Sequence, residues 1–240
     1  MSDNPIMIVT GGSRGIGSAI ARLAGERGYD VCVNYTASAD RAEAVAEDIR
    51  AHGQRALAVQ ADVSKPEDIE RLFAETDAGL GKVDVLVNNA AISIEVAVAD
   101  VEVDTIRSQI DTNLLGPMLT TRQAIQRMAT SRGGKGGVVV NISSISALYG
   151  GLPTDVVYAG TKGGLDAFTI GIAKEVAPDG IRVCGIRPGL IRTEMWDNTV
   201  GQEGIVAMGK RGVPWGRVGE VEEIANATLW MASPEASYVT

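Results

Sequence analysis

Tyr158 and Lys162 stand four residues apart, a spacing that on a helix brings both side chains to one face, one turn above each other. A phenol with its ordinary pKa of about 10 is a poor acid at neutral pH, but an ammonium one turn away favours the phenolate and draws that value down. A tyrosine tuned in this way can exchange a proton with a carbonyl or hydroxyl oxygen. Ser143 or Ser144 leaves the end of a strand running through Val138, Val139 and Val140 to Ile142, where open parallel sheets collect their ligands. Taken alone, the Tyr-Lys spacing also describes any exposed amphipathic helix. The elements that must position it carry the argument.

Ile6 to Val9 is a short, continuous apolar run, as expected of a strand covered on both faces. It leads into Thr10-Gly11-Gly12-Ser13-Arg14-Gly15-Ile16-Gly17 and then a helical pattern through Ala19, Ile20, Leu23 and Ala24, ending near Gly28. Strand, glycine turn and helix is the context a dinucleotide pyrophosphate needs, since the glycines admit the phosphates to the backbone and the free N–H groups at the helix start face the anion. A plain turn would leave the glycines at the mouth of a parallel strand unexplained. A second strand, Asp30 to Tyr35, places Tyr35 twenty residues after Gly15, where an acid would bond the ribose 2'-hydroxyl of NAD. Without that acid a 2'-phosphate meets no repulsion, and Arg14 and Arg41 offer positive charge unless they are merely solvated surface residues. NADP is the expected cofactor, with NAD as the alternative.

A helix from Ala39 to Arg50 and a strand from Arg55 to Gln60 follow, ending in Ala61-Asp62-Val63. Asp62 either caps the turn before the helix that Pro66 initiates or accepts from an adenine amino group; both can hold together. Val83 to Val87 forms a fourth strand and runs into Asn88-Asn89-Ala90-Ala91, where small residues let a ligand pass and asparagines tie strands or loop together. The helical pattern from Val103 to Met128 is interrupted at Asn113 and Gly116-Pro117, so a kink is expected there. Asn113 on a buried face needs a partner: a loose carbonyl, or a water ordered beside the Tyr-Lys pair. The helix from Tyr158 to about Val176 carries a small face at Ala159, Gly160, Gly163 and Gly164, suited to close packing or an interface. A sixth strand, Ile181 to Ile186, precedes Arg187-Pro188-Gly189-Leu190-Ile191-Arg192-Thr193. Glu194 to Trp215 is poorly periodic yet apolar, as a substrate lid would be, or as ordinary loop packing would be. A final helix spans Val221 to Met231.

With 240 residues and 45% hydrophobic content, the chain suits a single domain over 1–240, with the lid at about 194–215. A formal net charge of -8 argues against a nucleic acid or an anionic membrane as partner. No apolar run reaches a membrane span and the start lacks signal-peptide character, so a cytoplasmic protein is expected. Cys32 and Cys184 fall within strands as small hydrophobes of a reducing compartment, and the lone His52 at a helix end has no partner at ligand spacing, so no metal is expected.

The Thr-Gly-x3-Gly-x-Gly turn, Asn-Asn-Ala, Asn113, the Ser-Tyr-x-x-x-Lys group and Pro188-Gly189, in that order, resemble the short-chain dehydrogenase/reductase family across essentially the whole chain. The resemblance implies an α/β Rossmann fold, a doubly wound parallel sheet of order 3-2-1-4-5-6 with helices on both faces, and hydride transfer at a nicotinamide. It implies that Tyr158 is the acid or base, that Lys162 lowers its pKa and bonds the nicotinamide ribose, that Ser144 holds the substrate oxygen, and that Asn113 carries a proton-relay water. Cofactor contacts would come from Gly11, Ser13, Arg14, Gly15, Ile16 and Gly17, from Tyr35, Asp62 and Val63, and from Asn89, Ala90 and Ala91. Tyr158 and Lys162 would join them, with Pro188, Gly189, Ile191 and Thr193 beside the nicotinamide. The substrate would be a small carbonyl or alcohol, as for ketoacyl-carrier-protein reductases or sugar dehydrogenases, and the assembly a homodimer or homotetramer. A non-enzymatic NADP-binding sensor or structural module is the rival. Two departures stand out: Ala91 replaces the family's usual Gly, and a last strand expected beyond Tyr238-Val239-Thr240 is absent from these 240 residues.

Overall fold

Apolar runs without polar alternation become strands buried on both faces, and the helical patterns between them become the covering layers. The computed structural model of the chain describes residues 4–197 and 200–240. Strands β1 (Ile6–Val9), β2 (Asp30–Tyr35), β3 (Ala56–Gln60), β4 (Val85–Asn88), β5 (Gly137–Ile142) and β6 (Ile181–Ile186) form one sheet of order β3-β2-β1-β4-β5-β6. Every pairing is parallel. The order reverses between β1 and β4, so the crevice beyond their carboxyl ends is the natural ligand site of such a sheet.

The α-helices are α1 (Gly15–Glu26), α2 (Ala39–Ala51), α3 (Pro66–Gly79), α4 (Val103–Ile110), α5 (Gly116–Met128), α6 (Ser146–Tyr149), α7 (Val156–Val176), α8 (Gly201–Gly212) and α9 (Val221–Ala232), joined by short π and 3₁₀ turns. On one face of the sheet Ile20 and Ala24 of α1, Val45 and Ile49 of α2 and Leu229 of α9 pack on Met7, Val31 and Val140. On the other, Leu72 and Phe73 of α3, Ala124 and Met128 of α5 and Val176 of α7 pack on Ile8, Leu86 and Val139.

A chain of buried polar side chains crosses this second layer. Asn88 and Asn141 face each other in register on β4 and β5. The Asn88 amide donates to Asn141 Oδ1 at 2.9 Å and to Thr121 at 3.1 Å, and Thr120 donates to Asn88 Oδ1 at 2.6 Å. Asn141 in turn donates to Thr169 of α7 at 2.8 Å. These bonds fix α5 and α7 to the strands whose ends carry the site.

The break expected near Asn113 is a π-helical turn, Asp111–Leu115, between α4 and α5, and Pro117 follows it within a continuous helical backbone, where it lacks the N–H that would extend the ladder. The irregular reading of Glu194 to Trp215 needs correction. After a short 3₁₀ turn at Glu194–Trp196, α8 forms, with Ile205 and Gly209 buried. Gly201, Gly204, Gly209 and Gly212 lower its intrinsic helix propensity and conceal it. At Gly209 the reason is contact: a Cβ there would come within 2.8 Å of the Val218 backbone nitrogen. Residues 198 and 199, part of the expected lid, lie outside the described residues. Among the described residues no helix is long and apolar enough to cross a membrane.

Candidate active site

The glycine turn is held from three sides. Asn34 of β2 accepts from the Gly11 N–H at 3.2 Å through its side chain and from Gly12 at 2.7 Å through its carbonyl. Asn89 donates to the carbonyls of Thr10 at 2.9 Å and Gly11 at 3.2 Å, while the Thr10 hydroxyl accepts from the Asn89 and Ala90 N–H groups. Gly11 and Gly15 adopt φ of 63° and 55°, which side-chain-bearing residues rarely do. At Gly17 the constraint is space: an added Cβ would lie 2.3 Å from the Gly11 carbonyl oxygen. Helix α1 therefore starts against the turn, with no side-chain cap and no acid in its first turn. The N–H groups of Gly15, Ile16 and Gly17 have no intrahelical acceptor, and they fit an anionic pyrophosphate. Ala91, in the place of the family's glycine, needs no left-handed backbone, since no described residue other than glycine has positive φ.

Around this cradle, Ser13, Arg14, Gly15, Ser18 and Arg41 line a cleft of about 240 Å³ together with Arg22, Ala44 and Glu194. Arg14 makes no ion pair among the described residues, whereas Arg41 bonds Glu194 at 2.6 Å and Arg22 bonds Asp48 at 2.7 Å. Tyr35, half-buried at the end of β2, packs against the core and leaves no carboxylate there. Asp62 accepts from the Ser64 N–H and hydroxyl at 3.0 and 2.7 Å, which ties the turn before α3. Val63 is buried, with its side chain against Gly116.

Asp155 starts α7, and Tyr158 and Lys162 follow on one face, with the Lys162 Nζ 5.6 Å from the Tyr158 ring centroid. Lys162 is 2% exposed, and its ammonium donates to the Ile142 carbonyl at 2.8 Å. Burial draws its pKa down to about 8, against which Asp166 acts weakly. Tyr158 behaves opposite to the sequence expectation. Burial pushes its pKa up to about 12; a hydrogen bond with Ser144 opposes this, and the Asp155 and Tyr149 charges add to it. The ammonium sits by the ring and faces a carbonyl rather than the phenol oxygen, so in the cofactor-free chain desolvation outweighs its field.

Of the two serines, Ser144 reaches Tyr158, and its hydroxyl also accepts from the Ser146 N–H at 3.1 Å. Ser143 is buried and donates to the Lys162 carbonyl at 3.3 Å. Asn113 is fully buried; it accepts from the Ile92 N–H at 2.9 Å and donates to the Ile92 carbonyl at 2.8 Å and to Thr161 at 3.2 Å. Its side chain clamps the loop after β4 to α7, and both its donors are used there.

Sequence reasoning passed over three members of the site. Asp155 spends no side-chain bond on capping α7 and instead accepts from Ser93 at 2.8 Å, its pKa raised by burial. Gln109 is fully buried and accepts from the Ile94 N–H at 3.3 Å, and Glu194 reaches Arg41 from 153 residues away. Asp155 could have been found from its place three residues before Tyr158; the other two carry no local signal.

The segment past β6 closes the far side. Pro188 accepts from Ile145, Gly189 has open space where a Cβ would stand, and Ile191 pairs with Gly219. Trp196 donates to Ile191 at 2.9 Å, and the Thr193 methyl lies 3.6 Å from where a Gly15 Cβ would be. The segment thus passes directly over the start of α1.

A family model described as Enoyl-(Acyl carrier protein) reductase matches residues 11–240. The chain is 41% identical over 236 residues to "Uncharacterized oxidoreductase YgfF" of Escherichia coli (strain K12), which covers 98% of this chain and 95% of that protein. It is 37% identical over 237 residues to "3-oxoacyl-[acyl-carrier-protein] reductase FabG" of Staphylococcus epidermidis (strain ATCC 35984), covering 99% and 95%. A crystal structure of a short chain dehydrogenase from Burkholderia cenocepacia J2315 in complex with NADP superposes with a TM-score of 0.90 at 29% identity, over 98% of this chain and 93% of that one.

Proposed function

The chain belongs to the short-chain dehydrogenase/reductase family of oxidoreductases, and from that membership we propose that it is an NADP-preferring enzyme interconverting a carbonyl and a hydroxyl on a small substrate. The observation that carries the reading is the meeting of Ser144, Tyr158 and the buried Lys162 beyond β5, at the same end of the sheet as the uncapped start of α1. Bound across that end, NADP(H) supplies or accepts the hydride.

In the reductive direction Tyr158 gives its phenolic proton to the substrate oxygen, and in the oxidative direction it takes the proton back. Ser144 donates a second hydrogen bond to that oxygen and stabilises the negative charge developing on it. Lys162 would hold the nicotinamide ribose, and its ammonium favours the phenolate. Asn113 positions the loop from Ile92 against α7, with Asp155 and Ser93 forming a polar wall of the substrate cleft. Arg14, the absence of an acid at Tyr35, and Arg41 support 2'-phosphate recognition.

FabG relatives favour a ketoacyl thioester, and a sugar-type alcohol is the alternative. The net charge of -8 gives an acidic carrier protein no docking field, which favours a free small molecule. A sensor that retained only the fold would have no use for the Ser144–Tyr158–Lys162 group. The rest of the reading is one domain with 194–215 as its lid, a cytoplasmic location consistent with the buried free thiols of Cys32 and Cys184, and a homodimer or homotetramer using exposed Ile110, Leu115 and Ile170. The test is a fluorescence titration with NADPH and NADH, followed by a panel of ketones, ketoacyl thioesters and, with oxidised cofactor, sugars. Tight NADPH binding with turnover of any of these is expected, and binding without turnover would favour the sensor.

A further inference from the structure

We propose that Glu194 tunes the choice between 2'-phosphorylated and unphosphorylated dinucleotide by competing for Arg41. The inference rests on the cofactor reading above and concerns a residue outside the glycine turn and the Tyr-Lys pair.

The argument is an inventory of charge in one cleft. Three guanidiniums, Arg14, Arg22 and Arg41, line it with Glu194. Arg22 is engaged by Asp48 on α2. Arg14 has no ion pair among the described residues. Arg41 stands in the first turn of α2, just past the end of β2, where the adenosine ribose of a dinucleotide lies in this fold. Its guanidinium is held at 2.6 Å by Glu194, which comes from the segment beyond β6. Both side chains are about half exposed, at 54% and 49%, so water screens the pair and it can exchange for a stronger ligand.

A 2'-phosphate is such a ligand, because its charge and oxygens match the guanidinium fork. To take Arg41 it must displace the Glu194 carboxylate, which then remains nearby as a like charge. A ribose 2'-hydroxyl makes no such demand, so the pair can stay closed over an unphosphorylated cofactor. Glu194 therefore weakens binding of the phosphorylated form selectively and narrows a preference that Arg14 and Arg41 would otherwise make steeper. Glu194 also follows Thr193, whose methyl faces Gly15, so the competition takes place directly above the pyrophosphate cradle.

The experiment compares the full chain with its Glu194→Gln variant, and with Glu194→Ala as a second removal of charge, by fluorescence titration with NADPH and NADH. Removing an exposed ion pair of this kind is expected to tighten NADPH by about fivefold, with NADH changed by less than about 1.5-fold. In an Arg41→Gln background the same substitution should lose its selectivity, because the contested group is gone. Equal effects on both cofactors, no effect on either, or a selective effect that survives Arg41→Gln would overturn the proposal while leaving the enzyme reading intact. Failure of the unaltered chain to bind either cofactor would overturn the cofactor reading and this proposal with it.

Discussion

Replacing Asn113 with Ala removes a side chain that is fully buried and makes three hydrogen bonds, two to the backbone of Ile92 and one to Thr161. Each such bond contributes about 0.5–1.5 kcal/mol net, and the Ile92 groups would be left without their partner, so the loss is about 3 kcal/mol. At about 2–4 °C per kcal/mol for a chain of this size, the melting temperature should fall by about 6–12 °C. Calorimetry or circular dichroism reads that shift, and hydrogen exchange at the Ile92 amide should accelerate more than exchange in β1. Asn113→Asp keeps an acceptor for the Ile92 N–H but sets a carboxylate against its carbonyl, so it should not restore stability. A melting temperature within about 2 °C of the unaltered protein would refute the clamp.

Tyr158→Phe should lower turnover by about 10²- to 10⁴-fold with cofactor affinity nearly unchanged, as single-turnover kinetics and titration would show; substantial residual turnover would sink the acid-base assignment. Tyr35→Asp should shift preference from NADP towards NAD, and an unchanged ratio would mean that the 2'-phosphate is read elsewhere. Burial holds Lys162 at about 8, below its ordinary value, so above that pH the free protein has released a proton that binding of an anionic cofactor beside it restores. Calorimetric titrations in buffers of different ionisation enthalpy should therefore show proton uptake on NADPH binding at about pH 8.5 and none near pH 6.5; identical enthalpies in all buffers would contradict this. Gly17→Ala forces a Cβ to 2.3 Å from the Gly11 oxygen, so it should cost about 1–3 kcal/mol of stability and weaken cofactor binding, both visible in melting with and without NADPH.

The strands and their helical crossovers could be read from the sequence because each buried parallel strand is a short apolar run, whereas the sheet order rested on the family resemblance. The glycine turn could be read because its glycines answer purely local demands, positive φ at Gly11 and Gly15 and bare contact at Gly17. Helix α8 could not, since its four glycines lower the helical signal, and the one at Gly209 answers a contact with Val218 outside the helix. The sign of the Tyr158 shift was misread for a related reason. Helical spacing fixes the side of α7 on which Lys162 emerges, but the Ile142 carbonyl, twenty residues earlier, decides where its ammonium points. Asn113 could be read as a buried polar residue in need of a partner, but which backbone group it would meet depended on the course of the loop after β4.

The asparagine pair on β4 and β5 bears on how the chain finds its fold. Parallel strands of similar valine-rich sequence could pair in several alignments, since Val138, Val139 and Val140 offer little to tell them apart. A slip by one residue would turn Asn141 to the opposite face, and a slip by two would set the Asn88 amide against Val139 or past the end of β5. Either error strands polar groups in a dry interior at about 1–3 kcal/mol each. The asparagines and their threonine partners thus penalise misaligned pairings and favour the observed register.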